Sequence, residues 1–254
     1  MLLAHELIGH THDPSLVLIH GITDSRQMWQ PLLRDLSATH QVLTIDLRGH
    51  GQSDSDDGYD PISYASDVVE TAAALGVTEA VIVGHSLGGV VASAYAAIAP
   101  CRGVVNIDQP LRLSGFKEAL SQLAPMLSGT RETFDQALEL MFEAMDGPLS
   151  ADEQARLRQH RRADQSVVLA TWASIFESTP EELDETVAAL AAAITVPYLS
   201  IHGMDPGPGY SDWLQRLVPT ATVEIWPDMG HYVQLVDPNR FLARLAAFET
   251  QVRG

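Results

Sequence analysis

A single cysteine, Cys101, leaves the chain without an internal disulfide framework. That scarcity suits a reducing compartment, so a cytoplasmic location is expected. No apolar run approaches the ~18 residues that a membrane-spanning helix needs. The opening MLLAHELIGHTHD has no basic flank and carries His and Glu within its short apolar stretch, so no secretory signal is expected there. Basic residues are also scarce: 15 Lys and Arg stand against 33 Asp and Glu, for a formal charge of −18. Such a chain is expected to be repelled by nucleic acid and by anionic membranes, while net charge says nothing about a local pocket for a small-molecule substrate. His5, His10 and His12 cluster near the start without a carboxylate or cysteine at metal-ligand spacing, and they read as surface residues. No metal and no cofactor are expected.

Apolar residues are plentiful, at 46% of 254, enough for one large core. Leu16–His20, Val42–Asp46, Ala80–Val83 and Val104–Ile107 are short continuous apolar runs, the pattern of parallel strands buried on both faces. Between them, Tyr64, Val68, Ala72 and Leu75 recur at helical spacing, and 87–98 is apolar nearly all round, as for a helix inside the fold. Trp29 is expected to pack the first helix. The fold class is therefore α/β, a doubly wound and mostly parallel sheet. From about Pro110 to Thr195 strand-like runs vanish. Phe134, Leu138, Met141, Phe142 and Met145 share one helical face, and Leu169, Trp172, Ala173 and Phe176 another. Ser150 with Glu153, and Thr179-Pro180 with Glu182, read as capping boxes. Strand signals return at Val196–His202 and Thr222–Trp226, and a last helix starts at Asp237-Pro238. The expected organisation is one domain, with a core of 1–109 and 196–254 and a helical cap of 110–195 inserted between two strands.

Chemistry concentrates at strand ends. Gly84-His85-Ser86-Leu87-Gly88-Gly89 follows a strand and opens the apolar helix, a G-x-S-x-G in the strand–turn–helix setting that a nucleophilic serine requires. Small neighbours permit a sharp turn that lifts the hydroxyl above the sheet and aims the helix N-terminus at the reacting oxygen. The blander reading is a serine that merely caps the helix. His20-Gly21-Ile22 also follows a strand, where the Ile22 and Leu87 amides could form a two-donor oxyanion hole and His20 is structural. His231, in PDMGHYVQLVDP after Thr222–Trp226, is placed to act as general base.

Taken together, His20-Gly21, DLRGHGQS at 46–53, GHSLGG at 84–89 and Gly230-His231-Tyr232 resemble the α/β-hydrolase superfamily, within which the chain is most similar to serine esterases, lactonases and cofactor-free haloperoxidases. The resemblance spans about Leu16 to Phe248 and implies a sheet of about eight strands. Fewer strands are legible, and Leu2–Ile8 could supply one shortened edge strand. It further implies that Asp46 and Arg48 brace loops. For the triad acid it points to Asp205, giving the order Ser86…Asp205…His231. Here the sequence departs from the family: only Met204 separates Gly203 from Asp205, where the family usually has two residues. Asp108, after the preceding strand as in other branches, is the alternative acid.

The expected activity is hydrolysis of a small to medium, largely apolar carboxylic ester, lactone or thioester through an acyl-enzyme on Ser86. Serine at the nucleophile position disfavours chemistry that passes through an aspartyl ester. Trp172, Phe176, Phe134 and Met141 are candidate pocket residues of the cap, and equally candidates for its core. Cys101 reads as a small buried hydrophobe. Two alternatives stand beside this reading. The same Ser/His pair serves perhydrolase, cofactor-free oxygenase or lyase chemistry in some relatives, and a non-catalytic ligand receptor would retain only the pocket.

Overall fold

The computed structural model describes residues 1–252. Its strands are β1 (His5–Ile8), β2 (Ser15–Ile19), β3 (Gln41–Ile45), β4 (Val81–His85), β5 (Gly103–Ile107), β6 (Tyr198–His202) and β7 (Ala221–Ile225). Among the described residues these seven form one sheet in the order β1-β3-β2-β4-β5-β6-β7. Only β1 runs antiparallel to its neighbour, pairing His5 with Ile45 and Ile8 with Val42. The other pairs are parallel. The edge strand expected from Leu2–Ile8 is present in shortened form.

Continuous apolar runs make central strands because both faces of this sheet are covered. Every residue of β3, β4, β5 and β6 is buried. Alternate side chains enter opposite layers, as the two-residue period of a strand demands. Leu16, Leu18, Val83, Val105 and Ile107 pack on one face with Trp29, Leu32 and Phe241. That layer is built from α1 (Gln30–Leu36) and α11 (Pro238–Val252). Val17, Ile19, Ile45 and Ile82 pack on the other face with Tyr64, Val68 and Val91. Here the covering helices are α2 (Pro61–Ala74) and α3 (Leu87–Ile98). Asp60 starts α2 by accepting from the Ile62 and Ser63 amides, and Pro61 supplies a first helical residue that needs no hydrogen-bond partner.

Five helices lie between β5 and β6: α4 (Ser114–Leu127), α5 (Arg131–Met145), α6 (Ala151–His160), α7 (Gln165–Glu177) and α8 (Pro180–Ala191). Their starts are written in side chains. Thr130, Ser150, Asp164 and Thr179 each accept from amides of the turn that follows, and Thr179 with Glu182 makes a complete capping box. At Ser150 only the serine half of the expected box forms. Leu120, Leu127, Phe134, Leu138, Val168 and Trp172 give the insertion its own apolar cluster, which also takes in Ile22 from the loop after β2. The short helices α9 (Tyr210–Leu217) and α10 (Val233–Val236) flank β7. Among the described residues no helix is long and apolar enough to cross a membrane.

The carboxyl ends of β2, β4, β5, β6 and β7 all open at one edge of the sheet, where ligands of parallel α/β folds bind. Ile82, near the middle of β4, is fully buried in the core beneath this edge. Ile82→Ala is expected to lower unfolding free energy by roughly 2–5 kcal/mol in urea titrations, as for other buried large-to-small changes. An unchanged midpoint would contradict this packing.

Candidate active site

Ser86 joins β4 to α3 with φ 53° and ψ −125°, a conformation that non-glycine residues hold only when their surroundings enforce it. Enforcement comes from both sides. The Ser86 N–H donates to the Ile107 carbonyl at 2.9 Å. A Cβ at Gly84 would lie 1.9 Å from the Gly88 carbonyl oxygen, and one at Gly88 would lie 2.3 Å from that of Ile19. The two glycines thus let strand, turn and helix approach more closely than any side chain would allow. The Ser86 side chain makes no capping hydrogen bond to α3. Its hydroxyl is therefore not engaged in starting the helix, and it faces a cavity of about 560 Å³.

The turn after β2 is organised by His20. Its Nε2 accepts the Leu47 N–H at 3.0 Å, so Nδ1 carries the proton and donates to the Gly21 carbonyl at 2.7 Å. In a trans peptide the carbonyl and the next N–H point in opposite directions. Fixing the Gly21 carbonyl therefore also fixes the Ile22 N–H. Ile22, Ser86 and Leu87 share the cavity wall. Leu87 is the first residue of α3, where an N–H lacks an intrahelical acceptor. Burial pushes the His20 imidazole down to about 4. It stays neutral, as its two opposite hydrogen-bonding roles require.

His231 is buried after β7, and its Nδ1 lies 2.6 Å from Asp108 Oδ2. Asp108 immediately follows β5 with φ +49°. Its other oxygen, Oδ1, accepts the Gly203 and Met204 N–H groups at 2.7 and 3.1 Å. The carboxylate that meets the imidazole is thus Asp108, and the sequence-based preference for Asp205 is reversed. The cause lies in the short loop after β6. Its first two amides turn toward Asp108, while exposed Asp205 accepts from its own Gly207 N–H at 2.9 Å. That side chain closes a local turn and lies on the cavity rim, with no hydrogen bond to His231. Further bonds hold the His231 backbone: its N–H donates to Met145 O at 2.8 Å, and its carbonyl accepts from His85 Nε2 at 2.9 Å. The His85 ring also packs on the His231 ring, with centroids 4.5 Å apart. Burial holds His85 well below the usual histidine range.

Trp172 and Met141 lie on the cavity wall, with Val90, Phe116 and Ile175. The other two candidate pocket residues lie elsewhere. Phe134 is fully buried inside the insertion, and Phe176 packs against the same cluster. Both serve the insertion's core, since they sit at other levels of the helix faces that bring Met141 and Trp172 to the cavity. Asp46 accepts from the Arg26 and Gln52 amides and pairs with the Arg26 guanidinium, and Arg48 pairs with Asp67 at 2.6 Å, so both brace loops. Among the described residues no three His, Cys, Asp or Glu side chains are grouped to hold a metal ion. Asp24 and Tyr232 also reach the cavity and were not singled out in the sequence. The Gly230-His231-Tyr232 motif was the available signal for Tyr232. Asp24, two residues beyond Ile22, had only its proximity.

The Alpha/beta hydrolase family model matches residues 16–245. A 2-(acetamidomethylene)succinate hydrolase of Mesorhizobium japonicum is 28% identical over 246 residues, covering 92% of this chain and 87% of that protein. A pimeloyl-(acyl-carrier protein) methyl ester esterase of Aliivibrio salmonicida is 26% identical over 247 residues, covering 92% and 91%. The solved structure of a thermophilic esterase from Thermogutta terrifontis aligns with a TM-score of 0.78 at 24% identity, over 99% of this chain and 94% of that one.

Buried histidines make the site sensitive to acid. Burial lowers His20 and His202 to about 4 and His50 to about 3, below the 6.5 of an unfolded chain. The unfolded state therefore binds more protons over this interval. The stability these neutral rings contribute is present above about pH 6.5 and is lost as pH falls toward 4. Histidine NMR resonances of His20, His50 and His202 should hold their neutral positions from pH 7.5 to 5. Titration of the buried set near pH 6.5 in folded protein would contradict these environments.

Proposed function

The chain belongs to the alpha/beta hydrolase family, and on that premise we propose that it hydrolyses small to medium, largely apolar carboxylic esters through an acyl-enzyme on Ser86. Ser86 Oγ attacks the ester carbonyl, and His231 Nε2 takes the hydroxyl proton. Asp108 keeps the other imidazole proton on Nδ1, which leaves the Nε2 lone pair available, and it stabilises the imidazolium that forms. The Ile22 and Leu87 amides receive the oxyanion, helped by the positive end of α3. His231 then protonates the departing alkoxide, activates water against the acyl-enzyme, and restores the serine. Lactones and thioesters fit the same steps.

The observation that carries this reading is the buried Asp108–His231 hydrogen bond on the same cavity as the strained, uncapped Ser86. The hydrolase and methyl ester esterase names of relatives at 28% and 26% identity support it. The largely apolar wall, including Trp172 and Met141, favours an apolar acyl or alcohol group. The segment 110–195 is proposed as a cap that shields the reacting centre from bulk water. A second reading, perhydrolysis, cofactor-free oxygenation or lyase chemistry by the same Ser/His pair, draws on one feature, the acid after β5 in place of β6.

A covalent serine probe distinguishes the two. The proposal expects labelling of the wild type and none of Ser86→Ala, with short-chain ester hydrolysis lost in that variant. A folded wild type that hydrolyses no ester, lactone or thioester would overturn it. Among the acids, Asp108→Asn should lower kcat by about 10²–10⁴-fold, the scale set by loss of the correct tautomer in other triads. Asp205→Asn should stay close to wild type. Steady-state kinetics on one ester would decide, and the opposite ranking would return the role to Asp205.

A further inference from the structure

Beside the reacting groups lies a second polar cluster that the mechanism above leaves unused. Asp24, in the loop that carries Ile22, is only 3% exposed. Arg161, at the C-terminal end of α6, donates from Nε to Asp24 Oδ1 at 3.1 Å and from an Nη to the Tyr232 hydroxyl at 2.5 Å. The Tyr232 hydroxyl in turn reaches Asp24 Oδ2 at 3.4 Å. The Arg161 guanidinium also lies 3.6 Å from the centroid of Phe142, a ring on the cavity wall. Tyr232 is fully buried, and its ring packs 4.8 Å from that of His85.

These contacts join three separate parts of the chain at one point: the loop bearing Ile22, the loop bearing His231, and the helical insertion. Two backbone bonds reinforce the junction. The Arg162 N–H donates to Thr23 O at 2.9 Å, and the His231 N–H donates to Met145 O at 2.8 Å. Gly147 and Gly230 meet so closely that a Cβ on Gly230 would stand 2.8 Å from the Gly147 Cα.

We propose that Arg161 is a positioning residue: through Asp24 and Tyr232 it holds the Ile22 amide and the His231 imidazole in their reactive relation, so turnover depends on the seating of the insertion. The proposal rests on the hydrolytic role given to Ser86 and His231. A desolvated, planar guanidinium with two partners suits this task, since its fork fixes direction as well as distance. Burial raises the Asp24 carboxyl, and Arg161 opposes that rise. Charged and titratable groups around His231 include Asp108, just after β5, His85 from β4, Tyr232 and Asp24, with Arg161 bonded to the last two. Asp146, 3.8 Å from Arg158, stands beyond Tyr232.

Tyr232→Phe removes one oxygen and leaves the ring packing, and Arg161→Met removes the fork. Both should lower kcat by about tenfold or more with little change in KM, since small displacements of reacting groups cost rate steeply. Asp24→Asn leaves the Arg161 charge unpaired beside His231. The acid limb of the kcat/KM profile should then move to lower pH, and Asp24→Asn/Arg161→Met should move it back. A merely structural contact would lower the melting temperature and leave kcat and this profile in place. Wild-type kcat and an unmoved profile in the folded variants, with Ser86→Ala inactive, would overturn the clamp alone. Turnover surviving in Ser86→Ala would overturn the hydrolytic reading and the clamp with it.

Discussion

The hydrogen bond between Asp108 Oδ2 and His231 Nδ1, 2.6 Å long and closed to solvent, is the contact on which the rest of the site depends. The two partners are fixed by different parts of the chain, His231 through its backbone bonds to Met145 and His85. Asp108 follows β5 in a left-handed conformation that turns its carboxylate back over β6, where two amides of the following loop saturate one oxygen. That leaves the second oxygen for the imidazole. Three donors thus meet this buried carboxylate, and their hydrogen bonds replace its lost hydration. In the proposed chemistry this anion keeps the imidazole in the tautomer that can accept a proton from Ser86.

The architecture supplies these positions at low cost in irregular backbone. Central strands buried on both faces hold the ends of β2, β4 and β5 rigidly side by side, and the strain at Ser86 and Asp108 is borne where those strands terminate. The serine turn is over-determined, since Gly84 and Gly88 exclude any looser packing of strand against helix. Neutral, buried His20 and His85 set the neighbouring backbone. The first aims a peptide, and the second grips the carbonyl of His231. Helices α4, α5 and α7 of the insertion supply much of the cavity wall.

The sheet and its helices were legible in the sequence because runs such as Leu16–His20 and Val104–Ile107 have no other use than a strand wet on neither face. Ser86 and His231 stood out for a related reason, as each sits in a short motif whose glycine is sterically required. The carboxylate partner of His231 was not legible in that way. A lone Asp after a strand is a common residue, and which carboxylate meets the imidazole depends on where the amides of 203 and 204 point, a property of the folded loop. The one-residue shortening at Met204 was the visible sign that Asp205 departs from the usual geometry. Phe134 and Phe176 illustrate a second limit. Helical periodicity shows that a face is buried, but it does not say whether a cavity or a core lies opposite. Arg161 carried no sequence signal at all, since its partners are 137 and 71 positions away.

The most direct measurement is NMR of histidine-labelled protein, following the proton on His231 Nδ1. A strongly deshielded resonance, retained in Asp205→Asn and lost in Asp108→Asn, is the result this account predicts. Persistence of that resonance after Asp108 is replaced, or its loss on replacing Asp205, would contradict the arrangement from which the catalytic reading is built.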